Sequence, residues 1–401
     1  MKWVDKDLGD IVTFMSGGTP SKQKDEYWGG DIAWVSAKDL KGQRIYDSGL
    51  HITEAGAANG TRLVPENTIL FVVRGMSLES EFRISLTKIP VTFNQDLKAL
   101  CPSENIDPVF LFYSLYTRRD HIRQLASEAS HGTKKLPTEV IKSIKLQIPD
   151  INTQKKVASI ASAYDDLIEN NRRRIQLLER SLHLLYKEWF VHLRFPSHEH
   201  SKIVDGIPEG WENKKITELS VVIDGTHDSP KPTDNGYYMV TGRHIINGFI
   251  DFSKCYFISE EDHRQVMQRS KPEKGDIIFS NIGTLGSTVL VDQDFEFSIK
   301  NLALFKPHKK IYSNYLYGFF SDPRRIEDLN NQSSGTSQKF FSLKFLRSLS
   351  ILTPPLPILE YFDDLAQSIL KQRSLLHYEN IKLQQARDLL LPKLMSGAIS
   401  V

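Results

Sequence analysis

Cysteine is scarce in this sequence, and long apolar runs are absent. The two cysteines, Cys101 and Cys255, lie far apart and lack the spacing of metal ligands, which disfavours a disulfide framework or a zinc site. We expect both to be small core residues. No stretch approaches about 18 uninterrupted apolar residues, and the opening MKWVDKDLGD lacks the apolar segment of a signal peptide. The sequence therefore predicts a cytoplasmic protein without a membrane span.

Catalytic signatures are also missing. Residues 132–135 and 335–339 each place a lysine after Gly-Thr, but neither has the GxxxxGK[ST] spacing of a phosphate loop. No GxGxxG follows a strand pattern, and HExxH, EF-hand and GxSxG motifs do not occur. The Asn-Pro-Pro-aromatic motif, by which adenine methyltransferases hold a flipped base, is absent too. We therefore expect no catalytic residue, no metal site and no cofactor bound by this chain.

A strong positive charge is likewise missing. The chain has 51 Lys and Arg residues against 49 Asp and Glu, which gives a net charge of +2. A nucleic-acid-binding protein is expected to carry a basic surface, so composition alone does not indicate DNA. The 40% hydrophobic and 25% charged residues are ordinary for a globular protein. A length of 401 residues accommodates two domains with connecting elements.

What the sequence does contain is a long heptad pattern that occurs twice. Mostly apolar residues recur at alternating spacings of four and three, which indicates a coiled-coil seam rather than the wider apolar face of a globular helix. The first ladder comprises Val157, Ala161, Tyr164, Ile168, Asn171, Ile175, Leu178, Leu182, Leu185 and Trp189. The second, about 205 residues later, comprises Phe362, Ala366, Ile369, Arg373, Leu376, Asn380, Leu383, Arg387, Leu390 and Leu394.

Each of these helices is the other's expected partner. A single amphipathic helix is marginal in water, whereas a pair that buries its seam is stable. We predict an antiparallel coiled coil whose register places Asn171 opposite Asn380 and Ile175 opposite Leu376. A core asparagine fixes register at a cost in stability, and two facing amides can satisfy each other.

The segments before the two helices resemble each other as well, so the whole chain has an internal repeat. Residues 34–38 correspond to 239–243, and residues 65–71 correspond to 272–279. Short β-branched runs broken by Gly, Asn and Pro predict strand-rich domains of the α/β (α+β) class. The predicted segments are a first domain (1–150), a first long helix (151–192), a linker (193–207), a second domain (208–355), and a second long helix with the C-terminal tail (356–401).

The predicted linker is polar and has prolines near both ends. His198 and His200 lie within it, but they lack further metal-ligand partners. We therefore expect these two side chains to be solvated.

Local clusters of basic and polar residues occur at matching places in both halves. Glycine lets backbone approach a phosphate, hydroxyls and lysine bond its oxygens, and Arg, Lys, Asn and Gln can read base edges. A single such cluster is more often solvated surface, and its recurrence favours DNA binding. The candidates in the first domain are Gly18, Thr19, Lys22, Lys24, Lys38, Arg74, Gly132, Thr133, Lys134 and Lys135. Those in the second are His227, Lys231, Arg243, His244, Asn281, Lys300, Gly335, Thr336, Gln338 and Lys339.

Several motifs in a fixed order indicate a family. They are YWGGDIAW (27–34), LYKEWF (185–190), IPEGW (207–211), KGDIIF (274–279), SGTSQK (334–339) and LPKLMSG (391–397). In this order, at this spacing and with the internal duplication, the sequence resembles the specificity subunits of type I restriction-modification enzymes over essentially its whole length.

The resemblance implies two target-recognition domains, each of which reads one part of an asymmetric bipartite site in double-stranded DNA. It also implies that the two helices act as a ruler and as a docking surface for two modification subunits. Those subunits bind AdoMet and methylate adenine, while restriction subunits use ATP and Mg²⁺, so the cofactors belong to the partners. Two departures stand out. Residues 131–136 (HGTKKL) replace the fuller SGTSQK of the second domain, and Arg373 and Arg387 interrupt the second seam and suggest an edge that faces partner protein.

Other interpretations remain open. A pure coiled-coil scaffold would show no salt-dependent DNA affinity even with partners, whereas phosphate contacts give a steep salt dependence. A fragment of a fused restriction-methylation enzyme would need catalytic motifs in this same chain. The specificity subunit of a related bipartite restriction system outside type I is also compatible with the sequence.

Overall fold

The computed structural model describes residues 3–128, 133–283, 285–331, 340–399 and 401. The chain divides into two compact units, one formed by residues 1–170 and 379–401, the other by residues 171–378. Each unit therefore combines a strand-rich part with a portion of both long helices. The five segment boundaries expected from the sequence stay predictions.

The secondary structure alternates short strands with helices along the whole chain. The helices are α1 (Leu8–Ile11), α2 (Glu54–Ala58), α3 (Ser77–Ser80), α4 (Pro108–Tyr116), α5 (Arg119–Gln124), α6 (Thr138–Lys142), α7 (Ile151–Tyr186), α8 (Ile216–Leu219), α9 (Glu260–Arg269), α10 (Ile311–Ser321), α11 (Pro323–Asn331), α12 (Leu343–Ser348) and α13 (Leu356–Met395). The strands of the first unit are β1 (Val4–Asp7), β2 (Val12–Ser16), β3 (Trp28–Val35), β4 (Arg44–Ile45), β5 (His51–Ile52), β6 (Leu63–Val64), β7 (Ile69–Val72), β8 (Arg74–Gly75), β9 (Ile84–Thr87), β10 (Val91–Phe93), β11 (Leu97–Pro102), β12 (Ser127–Glu128), β13 (Lys134–Lys135) and β14 (Lys145–Ile148). Those of the second are β15 (Ile203–Val204), β16 (Ile207–Pro208), β17 (Glu212–Lys215), β18 (Ser220–Asp224), β19 (Tyr237–Val240), β20 (Ile245–Ile246), β21 (Phe249–Ile250), β22 (Tyr256–Ile258), β23 (Ile277–Phe279), β24 (Thr288–Leu290), β25 (Ser298–Ile299), β26 (Ala303–Pro307) and β27 (Ser350–Thr353).

The two predicted long helices are present as α7, with 36 residues, and α13, with 40 residues. Asp150 begins α7 by accepting hydrogen bonds from the backbone N–H groups of Asn152 and Thr153, both at 3.1 Å. Hydrogen bonds from the Thr153 hydroxyl, which has the largest effect, and from the Thr153 backbone N–H hold the pKa of the Asp150 carboxyl below its ordinary value. At its other end α7 continues as a π-helical turn, Lys187–Val191. The start of α13 follows Pro354 and Pro355, where a helix can begin but not continue upstream.

Every rung of both heptad ladders is buried or half-buried. In the first unit Val157 and Ala161 of α7 share one core cluster with Leu391 and Leu394 of α13. In the second unit Ile175 shares a cluster with Leu376, as the predicted register requires. The rings of Trp189 and Phe362 lie 6.0 Å apart. Within each unit the two helices therefore run antiparallel along the predicted seam, and the pairing of Asn171 with Asn380 stays a prediction.

The two arginines of the second seam do not face outward. Arg373 is 2% exposed and Arg387 is 7% exposed. Arg373 Nε donates to Glu179 Oε1 at 2.8 Å in the second unit, and Arg387 donates to Asp165 in the first. The expected edge toward a partner protein was thus wrong at these positions, because acidic residues beside the first ladder neutralise both guanidinium groups within the chain.

The main sheets of the two units share a strand order, with one additional edge strand in each first-unit sheet, and this confirms the internal repeat. In the first unit the two larger sheets have the orders β2-β11-β7-β9-β4 and β5-β3-β10-β6. In the second unit the corresponding sheets are β18-β26-β23-β24 and β22-β19-β25. The pairs β3–β10 and β19–β25 are parallel, and β1–β14 corresponds to β17–β27. This similarity extends to the apolar helix against each sheet, α4 in the first unit and α10 in the second.

The segment predicted as a linker has some structure of its own. It contains a turn of 3-10 helix at His198–His200 and the short β15–β16 pairing. Phe195 is buried and its ring lies 5.0 Å from that of Trp211. His198 and His200 themselves are exposed, as expected. Cys101 and Cys255 are free and only half-buried rather than full members of the core.

Candidate nucleic-acid interface

In the first unit, the loops that follow four strands meet at one place. The backbone N–H of Gly18, after β2, donates to Phe93 O at the end of β10 at 2.9 Å. Trp34 Nε1, near the end of β3, donates to Gly18 O at 3.0 Å. The N–H of Val73, after β7, donates to Asp96 O at 2.9 Å. The predicted segments around Gly18, Lys38 and Arg74 are therefore assembled at the carboxyl ends of neighbouring strands.

The second unit repeats this assembly. The N–H of Thr226, after β18, donates to Ile299 O at the end of β25 at 3.0 Å. Lys300 N–H donates to Val240 O at the end of β19 at 2.9 Å, and Asn301 N–H donates to Thr226 O at 3.1 Å. The predicted residues near His227, Arg243 and Lys300 thus occupy the strand ends that correspond to those of the first unit.

Each unit also contains an equivalent side-chain contact of its own. Thr19 Oγ1 donates to Gln95 Oε1 at 2.7 Å in the first unit. At the equivalent place in the second, His227 Nδ1 lies 2.8 Å from Asn301 Oδ1. The first contact joins the loop after β2 to the loop after β10, and the second joins the loop after β18 to the loop after β25. Gln95 was missed in the sequence because its partner, Thr19, is far away along the chain.

Glycine at these strand ends has a packing role. A Cβ atom on Gly17 would stand 2.1 Å from Phe93 O, and one on Gly225 would stand 2.4 Å from Ile299 O. A Cβ on Gly18 would meet Gly60 O at 2.0 Å. Any larger residue would push the loop away from the sheet. These glycines hold the loops against the strand ends, whereas the sequence indicated close approach to phosphate.

The basic candidates of the first unit are mostly exposed. Lys22 and Lys38 are exposed, and within the described ranges neither has an acidic partner. Lys24 Nζ donates to Tyr27 Oη at 3.0 Å, and this hydrogen bond raises the pKa of Lys24. Arg74 lies directly opposite Lys135 in the β8–β13 ladder, with Lys134 opposite Gly75. The structure therefore joins two candidate clusters that are distant in sequence.

The second unit presents a mixed charge. His227 Nε2 lies 2.7 Å from Asp224 Oδ2, and Arg269 Nη2 donates to Asp224 Oδ1 at 2.6 Å. Partial burial raises the pKa of the Asp224 carboxyl, but hydrogen bonds from Arg269 and His227 outweigh burial and hold that pKa below its ordinary value. Lys300 Nζ donates to Ser229 Oγ at 2.5 Å. Arg243 and Lys231 are exposed.

Two predicted contact residues are buried instead. His244 is 1% exposed, and its Nδ1 accepts a hydrogen bond from the backbone N–H of Thr241 at 3.1 Å. Burial, with the nearby Arg243 charge, lowers the pKa of His244. Asn281 is 6% exposed, and its Nδ2 donates to Phe341 O at 3.1 Å. Both side chains point into the protein, so the structure contradicts the prediction that they contact DNA.

Of the remaining candidates, the structure describes Thr133 alone. Thr133 is half-buried and adjoins β13. Gly132, Gly335, Thr336, Gln338 and Lys339 lie outside the described residues.

Among the helices of the described ranges, none is long and apolar enough to cross a membrane. The same ranges contain no cluster of three His, Cys, Asp or Glu residues arranged to hold a metal ion.

Two repeated sheet units with basic and polar loops at equivalent strand ends, attached to two paired long helices, define a two-part recognition protein. The comparisons give the family. The family model described as the type I restriction modification DNA specificity domain matches residues 1–180 and again residues 208–375. The chain therefore belongs to this family and is a DNA specificity subunit of type I restriction-modification.

Relatives align with all or part of the chain. The MjaIX specificity subunit of Methanocaldococcus jannaschii is 26% identical over 416 aligned residues, which cover 100% of this chain and 94% of the relative. The EcoR124I/EcoR124II specificity subunit of Escherichia coli is 35% identical over 164 residues, 40% of this chain and 41% of that one. The crystal structure of a type I S subunit from M. genitalium has a TM-score of 0.61 at 14% identity, covers 98% of this chain and 96% of its own, and supports the fold.

Proposed function

We propose that each unit reads one half of an asymmetric bipartite DNA site. The observation that carries this proposal is the repetition of one strand-end assembly with different side chains. Thr19 with Gln95 in the first unit becomes His227 with Asn301 in the second. Two readers that share a scaffold but differ in their polar groups would recognise two different half-sites, with an unread segment between them.

The long helices set the spacing between the half-sites and dock two modification subunits. Within each unit the seam rungs of both helices are buried or half-buried, which supports paired helices as the spacer. Exposed apolar residues on the outer faces of these helices, such as Leu177 at 62% exposure and Leu389 at 72% exposure, leave surface for other subunits. AdoMet, ATP and Mg²⁺ are then bound by those modification and restriction subunits, and this chain supplies no catalytic group.

The neutral charge fits a subunit that does not bind DNA alone. With a net charge of +2, the chain has little long-range attraction for a duplex. Modification subunits that clamp the DNA would supply the remaining affinity. Nanomolar specific binding by the isolated chain would contradict this division of labour.

The test is to co-express the chain with its modification subunit and map methylated adenines genome-wide. A bipartite asymmetric motif is expected. A chimaera in which residues 1–150 come from a relative should change one half of that motif and leave the other half intact. Loss of both halves, or no change in either, would refute the assignment of one unit to each half-site. A scaffold protein would give no methylation motif and no salt-dependent DNA affinity.

A further inference from the structure

One antiparallel residue pair at the candidate interface has the same backbone hydrogen bond beside it in both units. In the first unit, Arg74 of β8 faces Lys135 of β13, and the N–H of Leu136 donates to Val73 O at 2.9 Å beside them. This pattern makes Arg74 and Lys135 a non-hydrogen-bonded antiparallel pair, in which the two side chains stand close together on one face.

In the second unit the equivalent pair is Ile282 and Phe340. They form an antiparallel bridge, and the N–H of Phe341 donates to Asn281 O at 2.9 Å beside them. Phe341 is 1% exposed, as is its counterpart Leu136. The backbone positions therefore correspond one to one, and Phe340 takes the place of Lys135.

The chemistry of the pair is opposite in the two units. Arg74 and Lys135 are both exposed, and neither has an acidic partner among the described residues. Phe340 keeps 40% of its surface exposed beside the half-buried Ile282. Two cations can donate hydrogen bonds to guanine or to phosphate, whereas an isoleucine and a phenylalanine can do neither.

We propose that Phe340 recognises a thymine in the half-site read by the second unit, by packing against the C5-methyl group in the major groove. This proposal rests on the proposed function, since it assumes that the second unit reads one half-site. The methyl group is the apolar feature that distinguishes thymine in the major groove, and a phenylalanine side chain is suited to contact it. Buried Asn281 holds the backbone next to Phe340 by donating a hydrogen bond to Phe341 O.

The experiment removes the methyl group from the DNA and the ring from the protein. Once the motif is known, each thymine of the second half-site is replaced in turn by deoxyuridine, and Kd is measured for the complex of the full chain with its modification subunit. One replacement should weaken binding about three- to five-fold, the effect of a single buried methyl group. Phe340→Ala should weaken binding to the thymine site and make it insensitive to that same replacement.

Matched variants control for folding. Phe295→Ala removes an equally large ring that is 51% exposed in the same unit, and it should leave the deoxyuridine effect unchanged. Phe340→Leu keeps an apolar side chain and should retain part of the discrimination. Thermal unfolding of each variant shows whether the second unit remains folded.

The outcomes separate the two proposals. Without any bipartite motif for the wild-type complex, the proposed function itself fails. With a clear motif, the inference fails in either of two cases: the second half-site contains no thymine, or deoxyuridine weakens the wild type and folded Phe340→Ala equally at every position. A lost deoxyuridine effect at one position in Phe340→Ala alone supports the contact.

Discussion

Arg387 of α13 and Asp165 of α7 form a buried ion pair in the first unit. The two side chains are 9% and 6% exposed. The hydroxyl of Tyr113, on α4, donates to the other oxygen of the same Asp165 carboxylate. Burial, followed by the nearby Asp165 charge, raises the pKa of Tyr113, so its hydroxyl stays protonated and available as a donor. This network ties the sheet domain to both helices, because each of the three residues belongs to a different element.

Removing only one member of this ion pair should lower the free energy of unfolding. Arg387→Met leaves the Asp165 carboxylate buried without its cation, which destabilises proteins by about 3–5 kcal/mol. We expect a lower urea midpoint for the full chain, measured by circular dichroism. The double variant Asp165→Leu with Arg387→Met removes both charges and should recover much of the loss. If the single and double variants were equally destabilised, the pair would not be the cause.

Replacing Arg373, the other arginine of the α13 seam, by lysine should destabilise the second unit. Arg373 Nη2 donates to Gly248 O at 2.9 Å, Nε donates to Glu179, and the guanidinium lies 3.8 Å from the centre of the Phe249 ring. Lysine has no planar fork to repeat these contacts, and losing a hydrogen bond to a charged group costs about 1.5–3 kcal/mol.

Residues 245–250 form the β20–β21 hairpin, and Arg373 contacts its turn at Gly248. Hydrogen exchange at these residues therefore measures the loss of the Arg373 contacts locally. Arg373→Lys should speed exchange there and lower the melting temperature. Arg180→Lys, on an exposed part of α7, is the matched control and should change neither. Unaltered exchange in the hairpin of Arg373→Lys would show that its contacts contribute little.

The seam was predictable from sequence because a heptad pattern depends on local spacing alone. The acidic partners were not. Asp165 and Glu179 lie between rungs, where a charged residue normally faces solvent. Only the positions of Arg387 and Arg373 on the other helix bury the Asp165 carboxylate and half-bury that of Glu179, and that relationship depends on the register.

The candidate interface was predictable as a set of loops, but less well as side chains. The recurrence of comparable loops in both halves was visible in the sequence, and the structure places the loops around Gly18 and His227 at equivalent strand ends. Whether a side chain at a strand end points outward depends on the backbone turn, and the turns at His244 and Asn281 direct both inward. The pairing of Arg74 with Lys135 depends on an antiparallel contact between distant segments, which no local pattern records.

A small residue in α10 should be required where the helix meets α7. A Cβ atom on Gly318 would stand 2.5 Å from Tyr186 Cδ2. Tyr186 is 5% exposed, and its ring packs against those of Tyr315 and Phe362. Alanine improves helix propensity by about 1 kcal/mol, whereas overpacking a core costs about 1–3 kcal/mol.

We therefore expect Gly318→Ala to lower the melting temperature in differential scanning calorimetry. Gly42→Ala is the control, since a Cβ there meets no atom within 4 Å. Stabilisation by Gly318→Ala would mean that propensity outweighs the contact with Tyr186.

The basic pair of the first unit should control how DNA affinity depends on salt. Arg74 and Lys135 face each other and are exposed, so each can neutralise a phosphate or donate to a base. With Lys135 on a phosphate and Arg74 on a base edge, the double variant Arg74→Gln with Lys135→Gln should reduce the slope of log Kd against log salt concentration by about 0.9 for the complex with the modification subunit. Phosphate contacts by both side chains would reduce that slope by about 1.8. Lys145→Gln alters an exposed lysine on β14, in a different sheet, and should leave the slope unchanged.

The same titrations on DNA with changed half-sites separate phosphate contact from base reading. A phosphate contact weakens binding to every sequence alike, whereas loss of a base contact relaxes specificity at one position. We expect Lys135→Gln to act uniformly and Arg74→Gln to relax a guanine in the half-site of the first unit, because a guanidinium can donate two hydrogen bonds to guanine O6 and N7. Full salt dependence and specificity in the double variant would place the DNA elsewhere on the first unit.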